Sequence, residues 1–331
     1  MNNNFKSLLL LAMIVMLMTI PLVVSGQDGD ETEELPTLKI AVLPVLNTLP
    51  LYAAQSEGFY AEYGVNVELI PFDSARDRQI ALQTGEVDGA NTDLQGVILL
   101  VNGGFDVRAV RMEPINEQYF AIVAGAESGI ETIDDLRGVA IAISENTIIE
   151  YLTTEMLINA GFEEDEIVYE EVPAIPIRLE LLANGQIAAA TLPEPLVTFS
   201  TALQGGILIA SDEDAIIVPT VLAFNGDVLE ENGEAVRAFL AAYEQAVNAI
   251  NQEPEAFRDV MNDNIRIPEP LQATYPVPTF PIAVVPSEEE AQLVMAWMLD
   301  VELLDEELEY DSIIDDSFLP EIDEAKETGE S

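Results

Sequence analysis

Residues 81–90 read ALQTGEVDGA, and residues 181–190 read LLANGQIAAA. Gly85 aligns with Gly185, Val87 with Ile187 and Ala90 with Ala190, each at an offset of one hundred residues. Self-similarity at a fixed offset marks a supersecondary unit used twice. The likeness extends upstream. YGVNVELIP (63–71) answers FEEDEIVYEEVP (162–173), and KIAVLP (39–44) answers VAIAIS (139–144). Each copy reads as βαβαβ. A short apolar strand (38–43; 139–143) leads through a loop to a helix (49–63; 148–160) that stops at Gly64 or Gly161. A second strand alternates with period two through Val65, Val67 and Leu69, or Ile167 and Tyr169. A second helix (75–84; 177–184) ends at the aligned glycine, and a third strand carries 87–90 or 187–190.

Strands alternating with helices predict an α/β fold with mostly parallel sheets covered on both faces. One large doubly wound sheet would fit this pattern, but two features favour two lobes. Val107 to Val123 contains two strand-like runs around Pro114, and Ile216 to Phe224 is another extended apolar run. These read as strands crossing between lobes. The expected division is lobe one at 38–113, lobe two at 114–215, and a return with C-terminal helices on lobe one at 216–320. Residues 321–331 read as a polar tail. Val236, Phe239, Leu240, Tyr243, Val247 and Ile250 share one helical face, and Ser287 with Glu290 forms a capping-box pattern before a helix at 288–301. The only Trp, Trp297, is expected to pack that helix onto lobe one.

The N-terminus carries one charge, Lys6, before a near-unbroken apolar run from Leu8 to Val24. Small residues follow at Val24-Ser25-Gly26. This order predicts a secretory signal at 1–26, cleaved near Gly26, and then an acidic tether at 27–37. A retained membrane anchor is the alternative, because the run is marginally long enough to span. Either way the protein is expected outside the cytoplasm, periplasmic or secreted.

Composition narrows the chemistry. The 331 residues include 61 acidic, 12 basic, no His and no Cys, for a formal charge of −49. Ser-His and Cys-His nucleophile pairs, N/S zinc sites and disulfides are excluded, and without Cys a lipoprotein anchor is not expected. Lysine occurs only at Lys6, Lys39 and Lys326, so a Schiff-base enzyme would have to use Lys39. So negative a chain repels a phosphate backbone, and nucleic acid is not an expected partner. No D-x-D-x-D-G loop indicates calcium. No cofactor and no metal are expected.

At residues 49–93, LPLYAAQSEGFYAEYGVNVELIPFDSARDRQIALQTGEVDGANTD, the chain resembles the first lobe of ABC-transporter substrate-binding proteins. The group it resembles is the nitrate/sulfonate/taurine and thiamine-pyrimidine-precursor binding type, a periplasmic binding protein type 2-like fold. The group's G-[FY]-[FY]-x-x-x-G-[LV]-x-V-x-[LF] run falls at Gly58 to Leu69, and its L-x-x-G-[EQ]-[VI]-D-x-A run at Leu82 to Ala90. IETIDDLRGVAIAIS (130–144) is similar to the opening of the second domain, and TLPEPLV (191–197) to a late cleft loop. The second copy departs from the pattern with Ala188 where Asp88 stands in the first, which removes a loop-bracing carboxylate. The resemblance implies a two-lobed periplasmic-binding-protein fold with a cleft between the lobes. It also implies capture of a small-molecule ligand by lobe closure and docking on a membrane permease driven by a cytoplasmic ATPase. A monomer is expected, touching the membrane only through the permease or an uncleaved leader.

Ligands of open α/β sheets bind beyond the carboxyl ends of the strands, where helix N-termini gather. That rule nominates Asn47, Thr48, Asp73, Ser74, Arg76, Asn91, Thr92 and Asp93 in lobe one. In lobe two it nominates Ser144, Asn146, Thr147 and Glu194, with Tyr119 and Phe120 on the hinge side. Each has a structural reading beside the ligand reading. Asn47, Thr48, Asp73, Ser74 and Asp93 could be helix caps. Arg76 could be a solvated surface charge. Glu194, between two prolines, points either at the ligand or at an Arg. The loops hold Asp73, Asp93, Glu145 and Glu194 against one Arg, a balance that suits a neutral or cationic nitrogenous ligand better than an anion. Two other functions stay open: an enzyme related to pyrimidine-precursor synthases, and a ligand-sensing receptor on the same fold. The first is weakened by the absent His and the placement of Lys39. The second differs from transport only in what reads the closure.

Overall fold

The computed structural model describes residues 35–320 except 117–118, 215–217 and 282. The expected leader, most of the tether and the tail lie outside the described residues. The first copy of the repeat forms β1 (Thr37–Val42), α1 (Leu49–Glu57), α2 (Phe59–Glu62), β2 (Asn66–Pro71), α3 (Ala75–Gln83) and β3 (Gly89–Asp93), followed by α4 (Leu94–Asn102) and β4 (Val107–Met112). The chain crosses to β5 (Phe120–Ala124). The second copy then forms β6 (Ala140–Ile143), α5 (Ile148–Asn159), β7 (Val168–Glu171), α6 (Ile175–Ala183) and β8 (Ala189–Pro193), followed by α7 (Leu196–Leu203) and β9 (Ile207–Ser211). It crosses back to β10 (Thr220–Asn225) and ends in α8 (Gly226–Glu231), α9 (Gly233–Gln252), α10 (Arg258–Asn264), α11 (Glu288–Asp300) and α12 (Tyr310–Ile313).

There are two five-stranded sheets among the described residues, ordered β2-β1-β3-β10-β4 and β7-β6-β8-β5-β9, so the single-sheet alternative falls. β1 pairs in parallel with β2 and β3, and β6 in parallel with β7 and β8. The fourth strand of each sheet is antiparallel and arrives from the other lobe: β5 follows β4 across, and β10 follows β9 back. Each antiparallel strand carries a register shift against its edge strand, between Ile122 and Val123 in β5 and between Leu222 and Ala223 in β10. The bulges recur at the hundred-residue offset.

Local chemistry explains the elements. Gly85 and Gly185 end their helices with φ of +70° and +66°, a backbone region in which a Cβ is costly. Asp88 braces its loop: its Oδ2 accepts the Lys39 N–H at 2.7 Å. The first expected helix is broken inside its range, because Gly58 takes φ +78° and separates α1 from α2. The face of α9 from Val236 to Ile250 is buried, with Phe239 stacked on Tyr60 at 5.6 Å. Ser287 and Glu290 form the capping box of α11. Between α10 and α11 the C-terminal region is less helical than expected. Six prolines between 268 and 286 remove helical N–H donors there, and Ile267, Tyr275 and Phe280 are buried without a helix. Trp297 corrects another expectation. Its helix packs on α4 of lobe one, but its ring meets Tyr151 of α5 in lobe two edge-on, 5.3 Å between centroids. No described helix is long and apolar enough to cross a membrane.

Candidate functional site

The carboxyl ends of β1, β2 and β3 face those of β6, β7 and β8, and the loops after them carry the N-termini of α1, α3, α4, α5 and α6. The lobes touch there. Ser74 and Ala174, one hundred residues apart, form an isolated antiparallel bridge, and the Ile175 N–H donates to Asp73 O at 3.2 Å. The Tyr119 hydroxyl donates to Asn47 Oδ1 at 2.9 Å. A cavity of about 40 Å³ lies behind these contacts, between Asn47, Asn91, Tyr119 and Phe120 on one side and Ser144, Ile148 and Ile175 on the other. A wider mouth of about 540 Å³ adjoins it, sharing Ala75, Arg78, Asp93, Ser144 and Thr147.

Of the nominated residues, Asn47, Asn91, Thr92, Asp93, Ser144, Thr147, Tyr119 and Phe120 line the cavity. Arg76 and Asn146 line the mouth, and Arg76 is exposed. Four line neither space. Thr48 turns its hydroxyl back to Val45 O at 2.7 Å. Asp73 pairs with Arg266 at 3.1 Å. Ser74 caps α3, accepting the Asp77 N–H at 3.1 Å. Glu194 takes neither of its two expected directions. It accepts from the Thr198 hydroxyl at 2.8 Å and N–H at 3.1 Å, with Tyr275 beside it, and burial pushes its carboxyl up. Asp73 and Glu194 are therefore committed elsewhere, while Asp93 and Glu145, the other two carboxylates set against the Arg, line the mouth.

The side chains that organise the cleft include two that the sequence reading passed over. Arg78 is 3% exposed, and its Nη2 donates to Thr92 Oγ1 at 2.9 Å and to Asp93 Oδ2 at 3.2 Å. Asp93 also caps α4 by accepting the Gly96 N–H at 2.8 Å. Burial pushes the Arg78 guanidinium below its ordinary value, with Asp93 opposing. Arg178 is its counterpart one hundred residues on, fully buried and without a carboxylate at hydrogen-bond distance. Its Nη1 donates to Thr191 O at 2.8 Å, and its Nη2 to Val172 O at 2.8 Å and Ser144 Oγ at 2.5 Å. Burial pushes it down to about 10. The repeat offset was the signal that could have found both. Asp212 was also passed over. From the returning crossing it accepts the N–H groups of Tyr119 and Phe120 at 3.1 and 3.0 Å, tying one crossing to the other.

Residues 46–257 match a family model described as NMT1/THI5 like. A Brucella abortus protein named as a binding protein is 24% identical over 211 residues, which span 62% of this chain and 64% of that protein's length. Among solved structures, the ligand-binding component of an ABC-type import system from Staphylococcus aureus superposes with a TM-score of 0.74 at 17% identity, covering 86% of this chain and 97% of that one. The alkanesulfonate-binding protein of Xanthomonas axonopodis, bound to MOPS, superposes with a TM-score of 0.73 at 16% identity, covering 84% and 97%. At these identities the structural likeness is one of fold.

Proposed function

Since this chain belongs to the NMT1/THI5-like family, we propose that it is the extracytoplasmic solute-binding subunit of an ABC importer. Its lobes close on a small organic nitrogen- or sulfur-containing solute, and a membrane permease with a cytoplasmic ATPase receives that solute. The observation that carries the reading is the cleft: two equivalent sheet edges, each rich in helix N-termini, face one another across a small cavity that opens into the wider mouth. A solute touching both edges favours closure by its differential affinity for the closed state, and closure is what a partner can read.

The cavity lining argues for the solute's charge. Its one buried cation, Arg78, already has Asp93 as counter-ion. The other lining groups are amides, hydroxyls and apolar side chains, including Asn47, Asn91, Thr220, Ile148 and Ile175. A head group without net charge fits there with the least desolvation. A nitrogen heterocycle satisfies both the apolar walls and the hydrogen-bonding edges.

Native mass spectrometry on protein purified without denaturation tests binding directly, since a carried solute leaves on activation and reports its mass. Titration with pyrimidines, amines and sulfonates then tests the class. Trp297 lies on an interlobe contact, so its emission reports closure. An emission change with an uncharged heterocycle is expected. Tight sulfonate binding that is lost in Arg76→Ala would overturn the charge argument.

A further inference from the structure

Glu113 lies where the chain leaves β4 for the first crossing, and it is completely buried. Thr220 at the start of β10 holds its backbone from both sides. The Glu113 N–H donates to Thr220 O at 2.8 Å, and the Thr220 hydroxyl donates to Glu113 O at 2.9 Å. The side chain of Glu113 reaches Asn91 on β3, whose Nδ2 donates to Glu113 Oε2 at 2.5 Å. Asn91 lines the cavity. An asparagine amide has one donor end and one acceptor end. With Nδ2 committed to Glu113, Oδ1 is the end left for a solute.

We propose that Glu113 is a positioning residue for the solute: as a carboxylate it holds Asn91 with Oδ1 toward the cavity, so the site reads a hydrogen-bond donor there, and a proton on Glu113 reverses that reading. This rests on the solute-binding function proposed above. A Glu113 protonated on Oε2, the oxygen against Asn91, donates its O–H to Asn91 Oδ1 once the amide has turned over, and Nδ2 then faces the cavity. The cavity would thus change from acceptor to donor at one point without any movement of the lobes.

The surroundings of Glu113 make that proton available near neutrality. Arg111, on β4 two residues before it, is engaged with Glu244 and lies over the Tyr243 ring. Arg78 from α3 is engaged with Asp93 and Thr92. Tyr243 from α9 faces the carboxylate, and Tyr60 from α2 and Tyr119 from the crossing feel its charge. Neither arginine bonds Glu113 directly. Burial pushes its carboxyl up to about 7, with Asn91, Arg111 and Arg78 opposing.

The side-chain amide resonance of Asn91 reads the switch without any solute. It is assigned in asparagine-labelled protein by its loss in Asn91→Ala and followed from about pH 5.5 to about pH 8.5. One transition near neutrality is expected in the wild type. No transition is expected in Glu113→Gln, whose carbonyl accepts from Asn91 at every pH. A wild-type resonance that does not move over this range would overturn the proposal, as would an equal transition in Glu113→Gln. The wild-type titration decides the matter even if the variant does not fold.

Two probes of one shape extend the test to recognition: 2-aminopyrimidine, which offers a donor, and 2-methylpyrimidine, which does not. The preference for the amino compound should fall by roughly ten-fold from pH 8.5 to pH 5.5, about the worth of one hydrogen bond. An unchanged preference would overturn the proposal. An amide transition in a chain that binds neither probe supports the Glu113–Asn91 coupling and faults the solute class proposed above.

Discussion

Arg78 is the buried cation that lines the cavity, and its counter-ion Asp93 also starts a helix. Removing one partner of a buried pair leaves the other charge without compensation, at a cost of about 3 kcal/mol or more. Arg78→Met should therefore lower the urea midpoint strongly, whereas Arg76→Ala, on an exposed side chain, should change stability by no more than about 0.5 kcal/mol. Equal midpoints for the two variants would show that Asp93 finds another partner. The contrast also explains what was legible at this scale. Both arginines sit two residues apart on the same predicted helix, and residue type alone does not say which one faces inward. The hundred-residue offset does, because Arg178 matches Arg78 and nothing basic matches Arg76. Asp73 was illegible for the opposite reason: its partner, Arg266, is remote in sequence, so nothing local shows that this carboxylate turns away from the cleft. Glu194 had a local partner, Thr198 four residues on, and only Tyr275 is remote.

The two copies form equivalent elements, and that equivalence can be measured. Gly85 and Gly185 both take left-handed φ, and a Cβ added at either would meet no atom within 4 Å. The cost of Gly85→Ala and of Gly185→Ala is then the backbone strain alone, roughly 1–2 kcal/mol in each. Two single variants compared by urea unfolding should agree within about 0.5 kcal/mol. A gap of several kcal/mol would mean that one turn is held by contacts the other lacks. The βαβαβ order of each copy was legible because periodicity and helix-ending glycines are local signals. The equivalence of β5 with β10 was not. Both are continuous apolar runs without shared residue identities, FAIVA against TVLAFN; that they cross between lobes was read from the sequence, but their matching bulges are properties of pairing with distant strands. α9 was legible from its apolar face and α11 from its capping box, but the partner of Trp297 was not, because neither signal says which neighbour covers the ring.

The charge of the whole molecule and its buried carboxylates act on stability in the same direction. With 61 acidic and 12 basic residues, folding gathers like charges, and salt screens them over a distance of about 10 Å at 0.1 M. Melting temperature should therefore rise with ionic strength and then level off. Buried carboxylates add a contribution that salt screens much less. Burial raises Glu113 to about 7 and also raises Asp212 and Glu194. An acid whose value is higher folded than unfolded binds more protons in the folded state, so its contribution is present at low pH. That contribution is lost as pH rises from the unfolded value toward the folded one. For Glu113 the window runs from about 4.5 to about 7. Asp135 and Glu255, which hydrogen bonds lower, act in the opposite sense, but below that window. Chemical denaturation with urea at high salt should therefore give a midpoint that falls between about pH 5 and pH 7. Glu113→Gln should flatten the slope without abolishing it, since Asp212 and Glu194 are untouched. If high salt removed the whole slope, surface repulsion would account for it and Glu113 would be ionised throughout. If the slope persisted unchanged in Glu113→Gln, the titrating group would lie elsewhere, and Asp212, which ties the two crossings together, would be the next to replace.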